Sequence, residues 1–154
     1  MTLHAIVTDV AASLDRAGVA KLVVVNGHGG NNVLSNVVQE ANVGQRRMSL
    51  FPRSEDWTDA RRAARVVTSN HEDMHGGEAE TSILLATSAE VVRPSYRNAD
   101  FTADERRHLL TLGVGGYSKS GIIGRPSLAT AEKGRLLLES FAVQFKHHLT
   151  LLPS

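Results

Sequence analysis

The apolar positions of the first fifty residues alternate between helical and strand spacing. A helical repeat predicts a first helix from about Leu3 to Ala17, which Gly18 ends. The unbroken apolar run from Leu22 to Val25 is typical of a strand buried on both faces of a parallel sheet. A second helical repeat predicts a helix from Gly29 to about Asn42, and residues Arg47 to Phe51 are predicted to form a second strand.

The remainder of the chain is predicted to be mainly helical, with one long irregular stretch. Helices are predicted from Glu55 to Val67, from Ala79 to Ala89 and from Ala129 to Leu149. Residues 93–127 are predicted to be irregular, apart from a short helix near Ala103 to Leu112. The order helix–strand–helix–strand–helix predicts an α/β layer with a parallel sheet, in one domain of residues 1–154.

Composition and charge exclude several classes of function. The 154 residues carry 17 basic and 16 acidic side chains, so the net charge of +1 gives no reason to expect a nucleic acid or an anionic membrane as partner. No apolar run approaches the roughly 20 residues that cross a bilayer. The absence of cysteine excludes disulfides, thiolate zinc sites and cysteine nucleophiles, and it is compatible with the cytoplasmic location that we expect.

A histidine between glycines follows the first predicted strand, in the stretch VVVNGHGGNN. His28 therefore lies at the carboxyl end of a strand, where α/β sheets bind ligands. The flanking residues Gly29 and Gly30 let the backbone approach a ligand closely. The helix start that follows offers free N–H groups. His28 is a candidate metal ligand or oxyanion-site residue, and the alternative is a tight turn with an incidental histidine.

A second candidate stretch, SNHEDMHGGEAETS, holds two histidines and four carboxylates, a composition that suits a metal site. His71 and His75 match the H-E-x-x-H pattern of zinc proteases, but that pattern needs a continuous helix and two glycines follow at once. We favour a turn at His75 and a helix that begins near Glu78. Glu78 and Glu80 then point in different directions. The alternative is that these carboxylates merely begin a helix, where the dipole favours them.

A third stretch, SGIIGRPSLATAEKG, precedes the last helix and is predicted to be a rigid loop that is either structural or part of a pocket wall. Trp57 either stacks on a substrate or, as is commoner for a lone tryptophan on an amphipathic helix, packs inside. The remaining histidines are predicted to lie at the surface: His4, His108, His147 and His148.

The motifs VVVNGHGGNN, MHGGEAETSILL and GIIGRPSLATAEKG, in this order and spacing, resemble the creatininase (creatinine amidohydrolase) family. The resemblance covers nearly the whole chain from Leu3 onward. It implies a three-layer α/β/α fold around a mostly parallel sheet, here incomplete at the N-terminus. It implies a hydrolase of C–N amide bonds in small cyclic amides, formamide or peptides, which uses a divalent zinc, manganese or iron ion. It also implies a homo-oligomer, often a hexamer in the family.

The resemblance further implies roles for individual residues. His28 and Glu80 would be metal ligands, and His75 would be the acid–base residue. The implied substrate-binding residues are Asn26, Gly29, Gly30 and Glu78. Since family members begin with a segment that carries further metal ligands, the resemblance implies that this sequence starts after that segment. Creatininase itself has a glutamate at the position of Gly30 and a tryptophan just before the equivalent of His75, so these departures argue against creatinine as the substrate.

Three interpretations follow from the sequence. The chain is the C-terminal part of a creatininase-like amidohydrolase, either active or an inactive fragment of a longer enzyme. Alternatively, it is a degenerate, non-catalytic relative that keeps the fold for assembly or ligand binding. The third interpretation is an unrelated zinc peptidase that uses His71 and His75. An incomplete sheet would expose an edge and an apolar surface, which argues against a stable monomer.

Overall fold

The computed structural model describes residues 2–152, which divide into two compact units. The first unit runs up to Asp56 and resumes at Ala142, and the second spans Trp57–Phe141. The regular elements are α1 (Thr2–Arg16), β1 (Leu22–Val25), α2 (Val33–Ala41), β2 (Met48–Phe51), α3 (Ser54–Ala63), α4 (Glu78–Thr87), α5 (Leu109–Leu112) and α6 (Ala131–Leu151). Short 3₁₀ turns lie in the segment between α4 and α6. No helix among the described residues is long and apolar enough to span a membrane.

The first unit is built on two parallel strands. β1 and β2 pair in register, from Leu22 opposite Met48 to Val25 opposite Phe51. Helices α1 and α2 supply Ala11 and Val37 respectively to a buried cluster with Met48. The predicted order of helices and parallel strands is therefore confirmed. The prediction of one domain over residues 1–154 stays a prediction.

The expected burial of β1 is wrong, since this strand is only half-buried and Val25 is 65% exposed. β2 is buried along its whole length instead. Each strand has one strand neighbour among the described residues, but Ser49 and Phe51 of β2 are also covered by His148 near the end of α6. Helix α1 of the same unit also exposes apolar side chains, Ile6 at 55% and Val10 at 48%.

His148 corrects the expectation that it lies at the surface. Its Nδ1 is 2.6 Å from Oγ of Ser49, and its Nε2 is 3.3 Å from Oδ2 of Asp56. The His148 ring also packs edge-on against Phe51, with ring centroids 5.1 Å apart. His148 is thus part of a half-buried polar network at the end of α6, which the local polarity of the sequence does not reveal.

The second unit has a separate core formed by α3, α4 and α6. Ala60, Ala79 and Leu137 are fully buried in it. Trp57 packs edge-on against Phe141, with ring centroids 4.8 Å apart. Trp57 therefore packs inside this unit, as the commoner interpretation of a lone tryptophan predicted.

Three helices are shorter than predicted. α2 begins only at Val33, because the preceding glycine-rich residues form a turn. α3 ends at Ala63, and Arg65, with φ of 54°, adopts a left-handed conformation that stops the helix. α5 is confined to four residues before Gly113, which also has a positive φ of 63°.

A substitution at Gly134 tests the close packing of α6 on α4. A Cβ atom there would lie 1.9 Å from the carbonyl oxygen of Ser82, which is backbone and cannot move aside easily. We expect Gly134→Ala to lower the free energy of unfolding by about 1–3 kcal/mol, measured by urea denaturation. Gly115→Ala is the matched control, since a Cβ meets nothing within 4 Å at that position. Equal effects of the two substitutions would contradict the packing described.

Candidate functional site

The loop before α4 is held by the carboxylate of Asp73. Its Oδ1 accepts the N–H of Glu78 at 2.5 Å, and its Oδ2 accepts the N–H of Ala79 at 2.9 Å. The residue at the N-cap position, Gly77, has no side chain that could do so. Asp73 thus satisfies two of the free N–H groups at the helix start and places negative charge at the positive end of the dipole.

Arg61 of α3 holds Asp73 from the other side. Its Nη2 lies 2.7 Å from Oδ2 of Asp73 and also donates to the Asp73 carbonyl at 3.1 Å. The two side chains are only 9% and 1% exposed. Nη1 of Arg61 donates to the carbonyl of Thr68 at 3.1 Å. Both charges are therefore paired and hydrogen-bonded, which buried charges require.

Two glycines allow the backbone to pass this close to Asp73. A Cβ at Gly77 would lie 1.5 Å from Oδ1 of Asp73. A Cβ at Gly124 would lie 2.8 Å from the Cα of Gly77, and Gly124 has φ of +151°. The second glycine of HGGE and the glycine of IIG therefore meet in space, where no larger residue fits.

His75 lies in the same loop and pairs with a second segment, residues 120–124. Its N–H donates to the carbonyl of Ile123 at 2.9 Å, and the N–H of Ile123 donates back at 2.8 Å. Nδ1 of the His75 ring is 2.6 Å from the carbonyl oxygen of Gly121. The ring itself is exposed. The loop therefore presents an oriented imidazole to solvent.

Glu80, a predicted metal ligand, lies on the same corner of the fold. It is exposed, and its Oε2 accepts the N–H of Gly76 at 2.5 Å. Since Gly76 directly follows His75, the structure brings this carboxylate and the His75 loop together. The two residues form the candidate site of the second unit.

Glu78 points the opposite way and is fully buried. Its carboxylate accepts the N–H of Thr68 at 2.9 Å and the ammonium of Lys133 at 2.5 Å, and it also accepts the N–H of Val67. Burial alone raises the pKa of the Glu78 carboxyl, but these hydrogen bonds outweigh it and hold the pKa below 4.5. The predicted role of Glu78 in substrate binding stays a prediction, while the contacts observed are all internal.

His28 lies in the first unit, in the turn that follows β1. Oδ1 of Asn26 accepts the N–H of His28 at 3.2 Å and the side-chain amide of Asn31 at 3.0 Å, so Asn26 organises this turn. The His28 ring is exposed and lies over Gly30, where a Cβ would be 2.6 Å from Nε2. Around Gly29 the space is open. The absence of a side chain at Gly30 therefore leaves room for the His28 ring.

The predicted metal ligands do not make a complete metal site. Within residues 2–152, no group of three or more histidine, cysteine, aspartate or glutamate side chains could hold a metal ion. A catalytic zinc ion normally takes about three protein ligands. The donors of the described residues therefore do not fit such an ion by themselves.

The zinc-protease alternative does not fit the structure. Residues 69–77 form turns and a bridge but no helix, so His71 and His75 do not share a helix face. The carbonyl of His71 instead accepts a hydrogen bond of 2.7 Å from Arg106. The partners of the loop are not evident from the sequence. Asp73 alone is recognisable there, as an acidic residue shortly before a helix start.

Comparison with known proteins identifies the fold and then the family. A crystal structure of creatinine amidohydrolase (creatininase) superposes with a TM-score of 0.76 at 22% identity, and a manganese form of creatininase does so at 0.74 and 21%. Both matches cover 99% of this chain, so the α/β creatininase fold is confirmed. The family model described as creatinine amidohydrolase matches residues 1–149. The chain belongs to the creatininase family, as the sequence motifs indicated.

One curated relative is closer in sequence. The mycofactocin precursor peptide peptidase of Mycobacterium ulcerans (strain Agy99) is 36% identical over 118 residues, which make up 75% of this chain. The match spans 42% of that relative, and the chain spans 64% and 65% of the two creatininase structures above.

The buried pair of Glu78 and Lys133 yields a prediction. We expect Glu78→Gln to lower the free energy of unfolding by about 3 kcal/mol at pH 7, because it leaves the half-buried ammonium without its anion. The folded-state pKa of Glu78 is lowered from 4.5. The stabilising effect of the ionised carboxyl is therefore present at neutral pH and is lost as the pH falls from 4.5 through that lowered value.

Urea unfolding at pH 7 and in acid measures both effects. The matched control is Glu139→Gln, which breaks the exposed pair with Arg135 on the same helix and should cost at most about 1 kcal/mol. The free energies of unfolding of the wild type and of Glu78→Gln should become more similar in acid. If they do not, the Glu78 carboxyl is not ionised in the folded state at neutral pH.

Proposed function

We propose that this chain is a hydrolase of the creatininase family that cleaves the C–N bond of a peptide. The observation that carries the substrate class is the 36% identity with a relative named as a peptide peptidase. Identity with the solved creatininases is lower, at 20% to 22%. Gly30 and Met74, which stand where creatininase itself has a glutamate and a tryptophan, also favour a substrate other than creatinine.

His75 is the acid–base residue in this proposal. Amide cleavage needs a group that takes a proton from the attacking water and returns one to the leaving nitrogen. The exposed imidazole, oriented by the carbonyl of Gly121, suits that task. In the first unit, the open turn of Asn26, Gly29 and Gly30 is a separate candidate for substrate binding.

A divalent zinc, manganese or iron ion is also part of the proposal, with His28 of the first unit and Glu80 of the second unit as separate candidate ligands. The support is that solved creatininases include a Zn–Zn form and a manganese form. When bound, such an ion would polarise the amide carbonyl and acidify water. Since the described residues lack a complete ligand set, such an ion would need further donors.

We also propose that the protein forms a homo-oligomer, which its family membership supports. The exposed apolar residues Ile6, Val10 and Val25 of the first unit would be covered in such an assembly. The proposed location is the cytoplasm.

A non-catalytic relative that keeps the fold for assembly or ligand binding is the second candidate. One observation favours it, namely that residues 2–152 contain no cluster of side chains able to hold a metal. Such a protein would bind zinc or manganese weakly and would not hydrolyse amides.

An assay for peptide hydrolysis distinguishes a hydrolase from a non-catalytic relative. A pool of short synthetic peptides is incubated with the chain and added Mn²⁺ or Zn²⁺, and the products are identified by mass spectrometry. We expect the purified chain to cleave peptides, and His75→Gln to lower the rate by about 10²- to 10⁴-fold. His71→Gln is the matched control, because His71 is also exposed but belongs to no proposed site. Creatinine and formamide are tested separately as alternative substrates. Absence of peptide cleavage, or equal rates in wild type and His75→Gln, would overturn the proposal.

A further inference from the structure

We propose that residues 120–124 are the positioning element of His75 and that the Gly121 carbonyl fixes its neutral ring as the Nδ1–H tautomer. The nitrogen that then exchanges protons with a substrate is Nε2 alone. The consequence for catalysis rests on the proposed function, whereas the tautomer itself is measurable without any activity.

The short ring contact determines the tautomer. A carbonyl oxygen can only accept a hydrogen bond, and it lies 2.6 Å from Nδ1 of His75. Nδ1 must therefore carry the proton, since the partner of one ring nitrogen decides the state of the other. The neutral ring is left with its lone pair on Nε2.

The carbonyl that makes this contact is itself held in place. Ile123 is fully buried and bonds twice to the backbone of His75. Oγ of Ser120 accepts the N–H of Ile122 at 3.2 Å, which closes the turn around Gly121. Gly121 has φ of +81°, a conformation that L residues rarely adopt. The ring therefore meets a fixed acceptor and has one preferred orientation.

Two other histidines should have the opposite tautomer. Nδ1 of His71 lies 3.4 Å from Nη2 of Arg106, and a guanidinium can only donate. Nε2 of His148 lies 3.3 Å from a carboxylate oxygen of Asp56, which can only accept when ionised. Both rings should carry their proton on Nε2. These two histidines provide internal references in the same spectrum.

Long-range ¹⁵N–¹H NMR of the chain labelled at histidine nitrogens tests the assignment at a pH of about 9, where histidine is neutral. Single histidine-to-glutamine substitutions assign the signals. We expect the Nδ1–H pattern for His75 and the Nε2–H pattern for His71 and His148. An Nε2–H pattern for His75, or a mixture of the two, would overturn the inference.

Gly121→Ala and Gly113→Ala form a matched pair of variants. Both positions have positive φ and open space for a Cβ, so the two substitutions impose similar backbone strain. Only Gly121 supplies the carbonyl to His75. We expect Gly121→Ala to mix the His75 tautomers and to lower kcat for peptide cleavage by about 10- to 100-fold with little change in KM. Gly113→Ala should alter neither the tautomer nor kcat.

The outcomes separate this inference from the proposed function. An Nδ1–H ring in a chain that cleaves no peptide leaves the positioning contact intact and overturns the hydrolase proposal alone. Peptide cleavage by a chain whose His75 ring carries its proton on Nε2 supports the hydrolase proposal and overturns the tautomer inference alone. If Gly121→Ala does not fold, the wild-type tautomer still decides the matter, and Ser120→Ala provides a milder change of the same turn.

Discussion

The buried carboxylate of Asp73 is the contact on which the candidate site of the second unit depends. It bonds to the first amides of α4 and to the guanidinium of Arg61, and its side chain is only 1% exposed. Breaking such a pair by removing one partner would leave a buried charge without compensation. Because Asp73 fixes the start of α4, it also fixes the loop that carries His75 and the direction of each side chain in the first helical turn.

Because the start of α4 is fixed, the two glutamates of HGGEAE point in different directions. Glu78 is directed inward, where Lys133 and two backbone N–H groups compensate its charge. Glu80 is directed outward, where it lies on the same corner as His75. One carboxylate thus stabilises the fold, while the other is exposed to solvent beside the His75 loop. The buried and the exposed carboxylate are therefore two residues of one short motif.

Much of this architecture could be predicted from the sequence, because periodicity is a local property. The strand Leu22–Val25 and the order of the main helices follow directly from the apolar spacing. The partners of the loop could not be predicted in this way. Lys133 is 55 residues from Glu78, and Gly121 is 46 residues from His75. Such pairs are created by tertiary packing, on which a local pattern carries no information.

Native-state amide hydrogen exchange tests most directly whether Asp73 and residues 120–124 hold the His75 loop rigid. The informative amides are those of His75, Glu78, Ala79 and Ile123, each of which donates to a carbonyl or carboxylate described above. We expect these amides to exchange only through openings whose free energy is close to that of unfolding the whole second unit. Exchange at the rate of an unstructured peptide would contradict it, since the imidazole would then have no fixed orientation.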